Sequence, residues 1–337
     1  MMTDLTKTIL PAVEAELQQT VAALDARPTQ PFHEMLTYHM GWSGTGAGPQ
    51  AAGKRIRPTL LLLCAAANKE VSWTSALPAA AAVELIHNFS LIHDDIQDRS
   101  DIRRGRPTIW KQWGVAHAIN AGDALFILAH VALDRLSDRV SQETALQAGK
   151  IVDDACLALC CGQYLDMIYE TRTSVTLEDY WPMIAGKTSA LLTACTQVGA
   201  LLGGADESRL ELYRSYGHFL GLAFQIHDDY LGIWGDTGQT GKSIESDLVT
   251  GKKSFPVLSG LARHGPFAER YARGPIPAEE APILAEQLAR EGIQLLTQET
   301  ADAMTDKALE NLRLAMPQGE AGQALFTLTD QLLERKF

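Results

Sequence analysis

Five long stretches of this chain are apolar almost all the way round a helix, and none alternates as a strand would. They run from Ser75 to Ile96, Ala116 to Leu136, Gln142 to Tyr169, Trp181 to Leu202 and Glu207 to Ile233. Helices of this kind pack in the middle of a bundle rather than on its surface. Asp4 to Asp25 adds an amphipathic helix, with Leu5, Ile9, Val13, Leu17, Val21 and Leu24 at spacings of three and four. Gly41 to Pro58 reads as a loop, and Thr59 opens an apolar run through Ala67. Gly265 to Pro282 reads as a surface loop, with further helices from about Ala281, Thr300 and Glu320. No run of Val, Ile and Thr bounded by hairpin turns is present, and no linker divides the chain. The expectation is one all-α domain over residues 1–337, a single large helical bundle.

A chain of 337 residues, 46% hydrophobic, can bury a large core. Its net charge of −12 argues against a general nucleic-acid binder, which would carry a broad basic face. Anionic small molecules stay open, because local clusters decide those. Cys64, Cys156, Cys160, Cys161 and Cys195 form no CxxC pair and lie in apolar, helix-like surroundings. Buried free thiols in a reducing cytoplasm are expected. The start, MMTDLTKTILPAVEAELQQ, shows neither a long apolar core nor a small-residue cleavage site, so no signal peptide is expected. No stretch of about 20 apolar residues is free of charges or breakers, so no membrane span or anchor is expected either.

One motif occurs twice, as LIHDDIQD from Leu91 and as QIHDDYLG from Gln225, each at the end of an apolar run. Asp94 and Asp98 are four apart, which on a helix puts both carboxylates on one face, about 5.4 Å apart along the axis. Like charges so placed repel, and a bound divalent cation removes the conflict. Oxygen donors on an open face, without thiolates or a histidine set, suggest magnesium. Basic residues cluster nearby in sequence: Lys54, Arg55 and Arg57 in GKRIRP, Arg103 and Arg104 after the first motif, Lys187 in AGKTS, Lys242 in TGKS, and Lys252 and Lys253 in TGKKS. AGKTS is not a phosphate-binding P-loop, since residue 181 is Trp where the first glycine would stand and no strand precedes it.

GKRIRP, ELIHNFSLIHDDIQD, RRGRPT, GQYLD, GKT, FQIHDDYLG and GKS-DL-KKS occur in an order that resembles the trans-polyprenyl diphosphate synthases, the head-to-tail isoprenyl chain elongases. The resemblance runs from about Gly53 to Pro256. It implies the isoprenoid-synthase bundle around a deep apolar cavity, with the two acidic motifs across its mouth. It implies that Asp94 and Asp98 hold two magnesium ions and Asp228 a third, with Asp95 and Asp229 in support. Arg103, Lys187, Lys242 and Lys252 would bind an allylic diphosphate (dimethylallyl, geranyl or farnesyl). Lys54, Arg57, His87 and Arg104 would bind isopentenyl diphosphate. Lys187, Thr188 and Gln225 would line the reacting centre, and Gln163 and Asp166 match a GQxxD element. The family commonly forms homodimers.

The second motif departs from DDxxD, because Gly232 stands last; Asp236, four further on, is a possible substitute. Ser90 and Phe89, four and five residues before Asp94, would form the cavity floor about 6–7.5 Å deeper along the helix. One aromatic and one small residue resemble a geranylgeranyl diphosphate synthase, with farnesyl diphosphate the alternative product. An inactive partner subunit of a synthase is a further alternative. A terpene cyclase would lack GKRIRP and the second aspartate motif. An HD-type phosphohydrolase would leave the arginines unexplained.

Overall fold

The computed structural model describes residues 4–24, 27–68, 72–172, 174–235 and 246–333, and they are overwhelmingly helical. The chain divides into two compact units, each built from non-contiguous segments. The first comprises Met1–Asp153, Cys195–Glu211 and Met316–Leu325; the second comprises Asp154–Ala194, Leu212–Ala315 and Phe326–Phe337.

The first unit begins with α1 (Asp4–Val21), α2 (Gln30–His39), the short α3 (Pro49–Ala52), α4 (Ile56–Ala66) and α5 (Leu77–Gln97). Ile9, Val13, Leu17 and Val21 form the buried stripe of α1, and Leu60 to Leu63 and Ala79 to Val83 the centre of α4 and α5. Burying each such Leu or Val contributes roughly 1.5–3 kcal/mol. The segment expected as a loop up to Pro58 contains α3, and α4 starts at Ile56, three residues before the apolar run. Asp25 lies outside the described residues. Arg55, just before α4, is buried with φ 49°. It donates to Glu14 at 2.6 Å, Glu84 at 2.9 Å and the Met40 carbonyl at 3.2 Å. This ion-pair set holds a left-handed residue that would otherwise cost about 1–3 kcal/mol, and it fixes the entry of GKRIRP into α4.

After α5 comes the one strand pair among the described residues, β1 (Ile102–Arg103) and β2 (Arg106–Pro107), antiparallel with Arg103 opposite Arg106. Arg104 and Gly105 link the strands with φ 51° and 74°. Two positive φ values match the right-handed twist of a tight hairpin. Strand patterning cannot reveal so short a pair. Next come α6 (Ile109–Trp113), α7 (Val115–Asp134) and the start of α8 (Gln142–Thr171).

The second unit takes the rest of α8 and adds α9 (Leu177–Ile184), where Thr176 and Asp179 form a reciprocal capping box. The expected helix from Trp181 to Leu202 is interrupted. A π-turn, Ala185–Ser189, joins α9 to α10 (Ala190–Leu202). Then follow α11 (Glu207–Trp234), α12 (Ser246–Thr250), α13 (Phe255–Ala262), α14 (Pro266–Tyr271), α15 (Ala281–Arg290), α16 (Ile293–Leu314) and α17 (Gly319–Leu333); of these helices, residues 195–211 of α10 and α11 and the start of α17 up to Leu325 belong to the first unit. The Gly265–Pro282 segment is therefore not simply a surface loop, since α14 buries Phe267 completely. The helix expected from Thr300 begins at Ile293.

One further expectation is corrected. All five cysteines are free, but Cys160 and Cys161 are exposed on α8. Helical spans Trp73–Gln97 and Val115–Asp138 are long and apolar enough to cross a membrane by length and composition. The first has 72% of its apolar window buried in the protein, as a core helix does; the second has only 39%.

Candidate active site

In the first unit the acidic motif ends α5. Asp94 is half-buried, Asp98 is exposed, and the Asp98 amide donates to the Asp94 carbonyl at 2.8 Å, so both sit on the last helical turn. Asp95 points elsewhere. It is buried and accepts the Arg103 guanidinium side-on, Nε at 2.8 and 2.9 Å and Nη2 at 2.8 Å from its oxygens. Burial raises its pKa, and Arg103 opposes that rise without cancelling it. The side-on geometry aims Arg103 from the hairpin back towards the end of α5.

Arg104 donates to the Ala51 and Ala52 carbonyls at 3.0 and 2.9 Å, tying the hairpin to α3. Arg57 is half-buried, and its Nε has no hydrogen-bond partner among the described residues. Burial lowers the Arg57 pKa more than Glu84 supports it. His87 is pushed well below the ordinary histidine range, first by burial and then by Arg57, Arg104 and Arg103. Lys54 is exposed. His39 belongs to none of the motifs and joins the cluster only in the folded chain. Burial, then Arg104, Arg103 and Arg55, push its pKa down to about 3. Its Nε2 also lacks a partner among the described residues. A concave site lined by Tyr38, His39, Asp95, Arg103, Arg104 and Thr108 is the result. Its guanidinium charge exceeds what Asp95 and Glu84 balance, so it favours an anion.

On the same α5, Ser90 donates to the His87 carbonyl at 2.8 Å. Phe89 packs against Phe126 of α7 with ring centroids 5.0 Å apart, and Phe126 meets His130 at 4.8 Å.

In the second unit the π-turn carries Lys187 and Thr188. A Cβ on Gly162 of α8 would lie 2.1 Å from the Lys187 nitrogen, so the turn rests directly on α8 backbone. Wide turns of this kind re-aim side chains and frequently mark functional sites. Lys187 is ion-paired with Asp166. Thr188 donates to Gln225 Oε1 at 2.7 Å, and Gln225 Nε2 donates to Asp229 at 2.9 Å. Asp229, almost fully buried, also accepts from the Tyr180 hydroxyl at 2.7 Å, the Phe255 amide at 2.9 Å and Lys252 Nζ at 3.3 Å. Its lone pairs are committed, whereas Asp228 on the next helix position is half-buried. Burial, then Asp229, keep the Tyr180 hydroxyl protonated, its pKa well above the usual range. Burial opposes charge on Lys252, but Asp229, Asp247, Asp228 and Asp166 outweigh it and raise its pKa. Gln163 lies on α8, three residues before Asp166. Lys242 and Asp236 lie outside the described residues.

Thus a helix-end acid pair and a buried cation cluster share one unit, and a lysine–carboxylate network organised by Asp229 lies in the other. Among the described residues, no three His, Cys, Asp or Glu side chains form a closed metal cage.

This combination of an all-helical fold and acid-plus-cation chemistry defines a diphosphate-handling enzyme. Residues 47–274 match the family model described as polyprenyl synthetase. The chain is 41% identical over 263 residues to a geranylgeranyl diphosphate synthase of Mycobacterium tuberculosis, covering 77% of this chain and 73% of that one. It is 42% identical over 274 residues to a (2E,6E)-farnesyl diphosphate synthase of Mycobacterium bovis, covering 80% and 75%. The crystal structure of a polyprenyl synthetase from Streptomyces coelicolor superposes with a TM-score of 0.86 at 35% identity, over 97% of this chain and 98% of the other. The chain belongs to the polyprenyl synthetase family, has its helical isoprenoid-synthase fold, and is a prenyltransferase.

Proposed function

We propose that the protein condenses isopentenyl diphosphate with an allylic diphosphate, using magnesium, and releases geranylgeranyl diphosphate. The observation that carries this reading is the acid pair Asp94 and Asp98 beside a buried cation cluster, with Arg57 Nε and His39 Nε2 lacking partners among the described residues. An acid pair on one helical turn suits magnesium, which takes one or two carboxylates together with phosphate oxygens. Within the first unit Asp94 and Asp98 would hold it. When bound, it supplies Lewis-acid neutralisation of charge on the diphosphate.

The residues do the rest. Within the first unit Arg103 would grip the allylic diphosphate and Lys54, Arg57, His87 and Arg104 isopentenyl diphosphate; within the second unit Lys187 and Lys252 are the candidate diphosphate-binding cations. Asp95 and Asp166 hold Arg103 and Lys187 in fixed positions, so little reorganisation is needed as charge develops on the leaving group. The allylic carbon–oxygen bond breaks with its electrons on diphosphate. The isopentenyl double bond forms the new carbon–carbon bond, and a proton then leaves to the departed diphosphate. Thr188 and Gln225, joined by a 2.7 Å hydrogen bond, would line the reacting centre and stabilise the cationic carbon there.

Product length rests on Phe89. Its packing on Phe126 supports a floor that ends growth at twenty carbons. Farnesyl diphosphate is the second reading, favoured by the Mycobacterium bovis relative. The chain works as a single catalytic domain in a cytoplasmic homodimer; five free thiols support the reducing compartment. The test is a product assay with labelled isopentenyl diphosphate and, separately, each short allylic primer. A twenty-carbon product is expected; a fifteen-carbon product would select the second reading, and no product from any primer would overturn both.

A further inference from the structure

Helix α2 ends at His39, outside every acidic or basic motif, yet its ring is set among their side chains. The backbone on both sides of it is held. The Tyr38 carbonyl accepts Arg106 Nη1 at 2.8 Å, and the Met40 carbonyl accepts Arg55 Nη2 at 3.2 Å. The ring is thereby fixed in the concave site that it lines with Asp95, Arg103 and Arg104. Its Nε2 is shut off from solvent and has no hydrogen-bond partner among the described residues. A buried polar atom left in this state is costly until a ligand meets it.

The charged and titratable groups about the ring come from three places: Arg55 before α4, His87 and Asp95 on α5, and Arg103, Arg104 and Arg106 on the hairpin. Arg55 is answered by Glu14 and Glu84, and Arg103 by Asp95. Arg104 instead donates to the neutral carbonyls of Ala51 and Ala52, and Arg106 to those of Tyr38, Ser43 and Thr45. Their charge stays open to an anion. Burial, Arg104, Arg103 and Arg55 keep the His39 ring uncharged in the free protein, while Asn88 of α5 favours the protonated form. A diphosphate would neutralise the guanidinium groups and add negative charge beside the ring, which reverses that balance. We propose that His39 is a further isopentenyl diphosphate-binding residue, whose ring meets the diphosphate through Nε2 and takes up a proton from water as the anion docks. Arg104 is the charge that acts most strongly on His39, and His39 in turn acts on His87. The choice of ligand rests on the proposed reading of those two residues as isopentenyl diphosphate ligands.

The test is calorimetric titration of the metal-free protein at about pH 6, in two buffers of different ionisation enthalpy. Isopentenyl diphosphate and, separately, inorganic pyrophosphate are added to wild type, His39→Gln and His39→Asn. Subtracting a variant from the wild type cancels protons exchanged by the ligand itself. The wild type should take up at least about half a proton more than either variant, so its affinity should gain about threefold on theirs for each pH unit of acidification. NMR of the nine histidine rings should show the signal missing from both variants pass from neutral to protonated when either ligand is added to the wild type. Equal proton uptake in all three proteins, or a His39 ring that stays neutral in the complex, would overturn the proposal. Proton-linked binding of pyrophosphate without binding of isopentenyl diphosphate would overturn the assigned ligand and the proposed reaction together. Proton-linked binding of isopentenyl diphosphate by a protein that makes no prenyl product would refute the reaction and support the role of His39.

Discussion

His39 shows how the cation cluster is kept ready for an anion. Unfolded, it titrates near 6.5; folded, burial and three guanidinium groups push it down to about 3. Between those values the unfolded chain binds a proton that the folded chain refuses, so stability falls as pH drops below 6.5. One such proton is worth about 1.4 kcal/mol per pH unit, and His87, lowered in the same direction, steepens the slope. The urea midpoint should therefore fall from pH 7 towards about pH 5, and His39→Gln should flatten that fall; an unchanged slope would remove His39 from the cluster. Phe89 acts by shape instead. Phe89→Ala should shift the product distribution to longer chains, read by resolving the labelled prenyl products, and an unaltered distribution would mean it is not the floor. These residues differ in how visible they were. Asp94, Asp98 and the arginines of the hairpin announce themselves because their chemistry needs given residue types at close spacing. His39 does not, because its partners lie at residues 55 and 87–104, and the contact exists only in the folded chain.

At the level of elements, the π-turn at Ala185–Ser189 carries the same lesson. Apolar periodicity across Trp181 to Leu202 is continuous, and a single widened turn leaves no trace in it. It exists only in the folded backbone, where the turn lies against Gly162 of α8. Gly162→Ala should cost about 1–3 kcal/mol by overpacking and lower the turnover rate by displacing Lys187. Gly149→Ala, on the same helix with nothing within 4 Å of its added Cβ, should instead stabilise by up to about 1 kcal/mol. Urea denaturation of the two variants checks the contrast, and equal effects would contradict it. The helix α14 was hidden for another reason. Gly265 and Pro266 look like breakers, but proline suits the first helical position, so the pair starts a helix around the buried Phe267.

Across the whole molecule, the helical class was legible because strands leave alternation and this chain has none; the division into interleaved units was not, since it depends on which distant segments pack together. One surface remains to be accounted for. On α7, Val115, Ile119, Ile127 and Val131 are 42–59% exposed at spacings of four and eight, an apolar stripe of the kind that marks an interface. It supports the proposed homodimer, and Ile127→Lys should convert a dimer into a monomer in sedimentation equilibrium; a monomeric wild type would contradict the assignment. The proposed reaction is head-to-tail prenyl transfer driven by the first acidic motif. The most direct test is the initial rate of diphosphate release from farnesyl diphosphate by the purified protein, with magnesium titrated from zero, with and without isopentenyl diphosphate. Saturable release that requires both magnesium and isopentenyl diphosphate is expected, falling about 1,000-fold or more in Asp98→Ala. Release without isopentenyl diphosphate, or an Asp98→Ala rate equal to wild type, would contradict it.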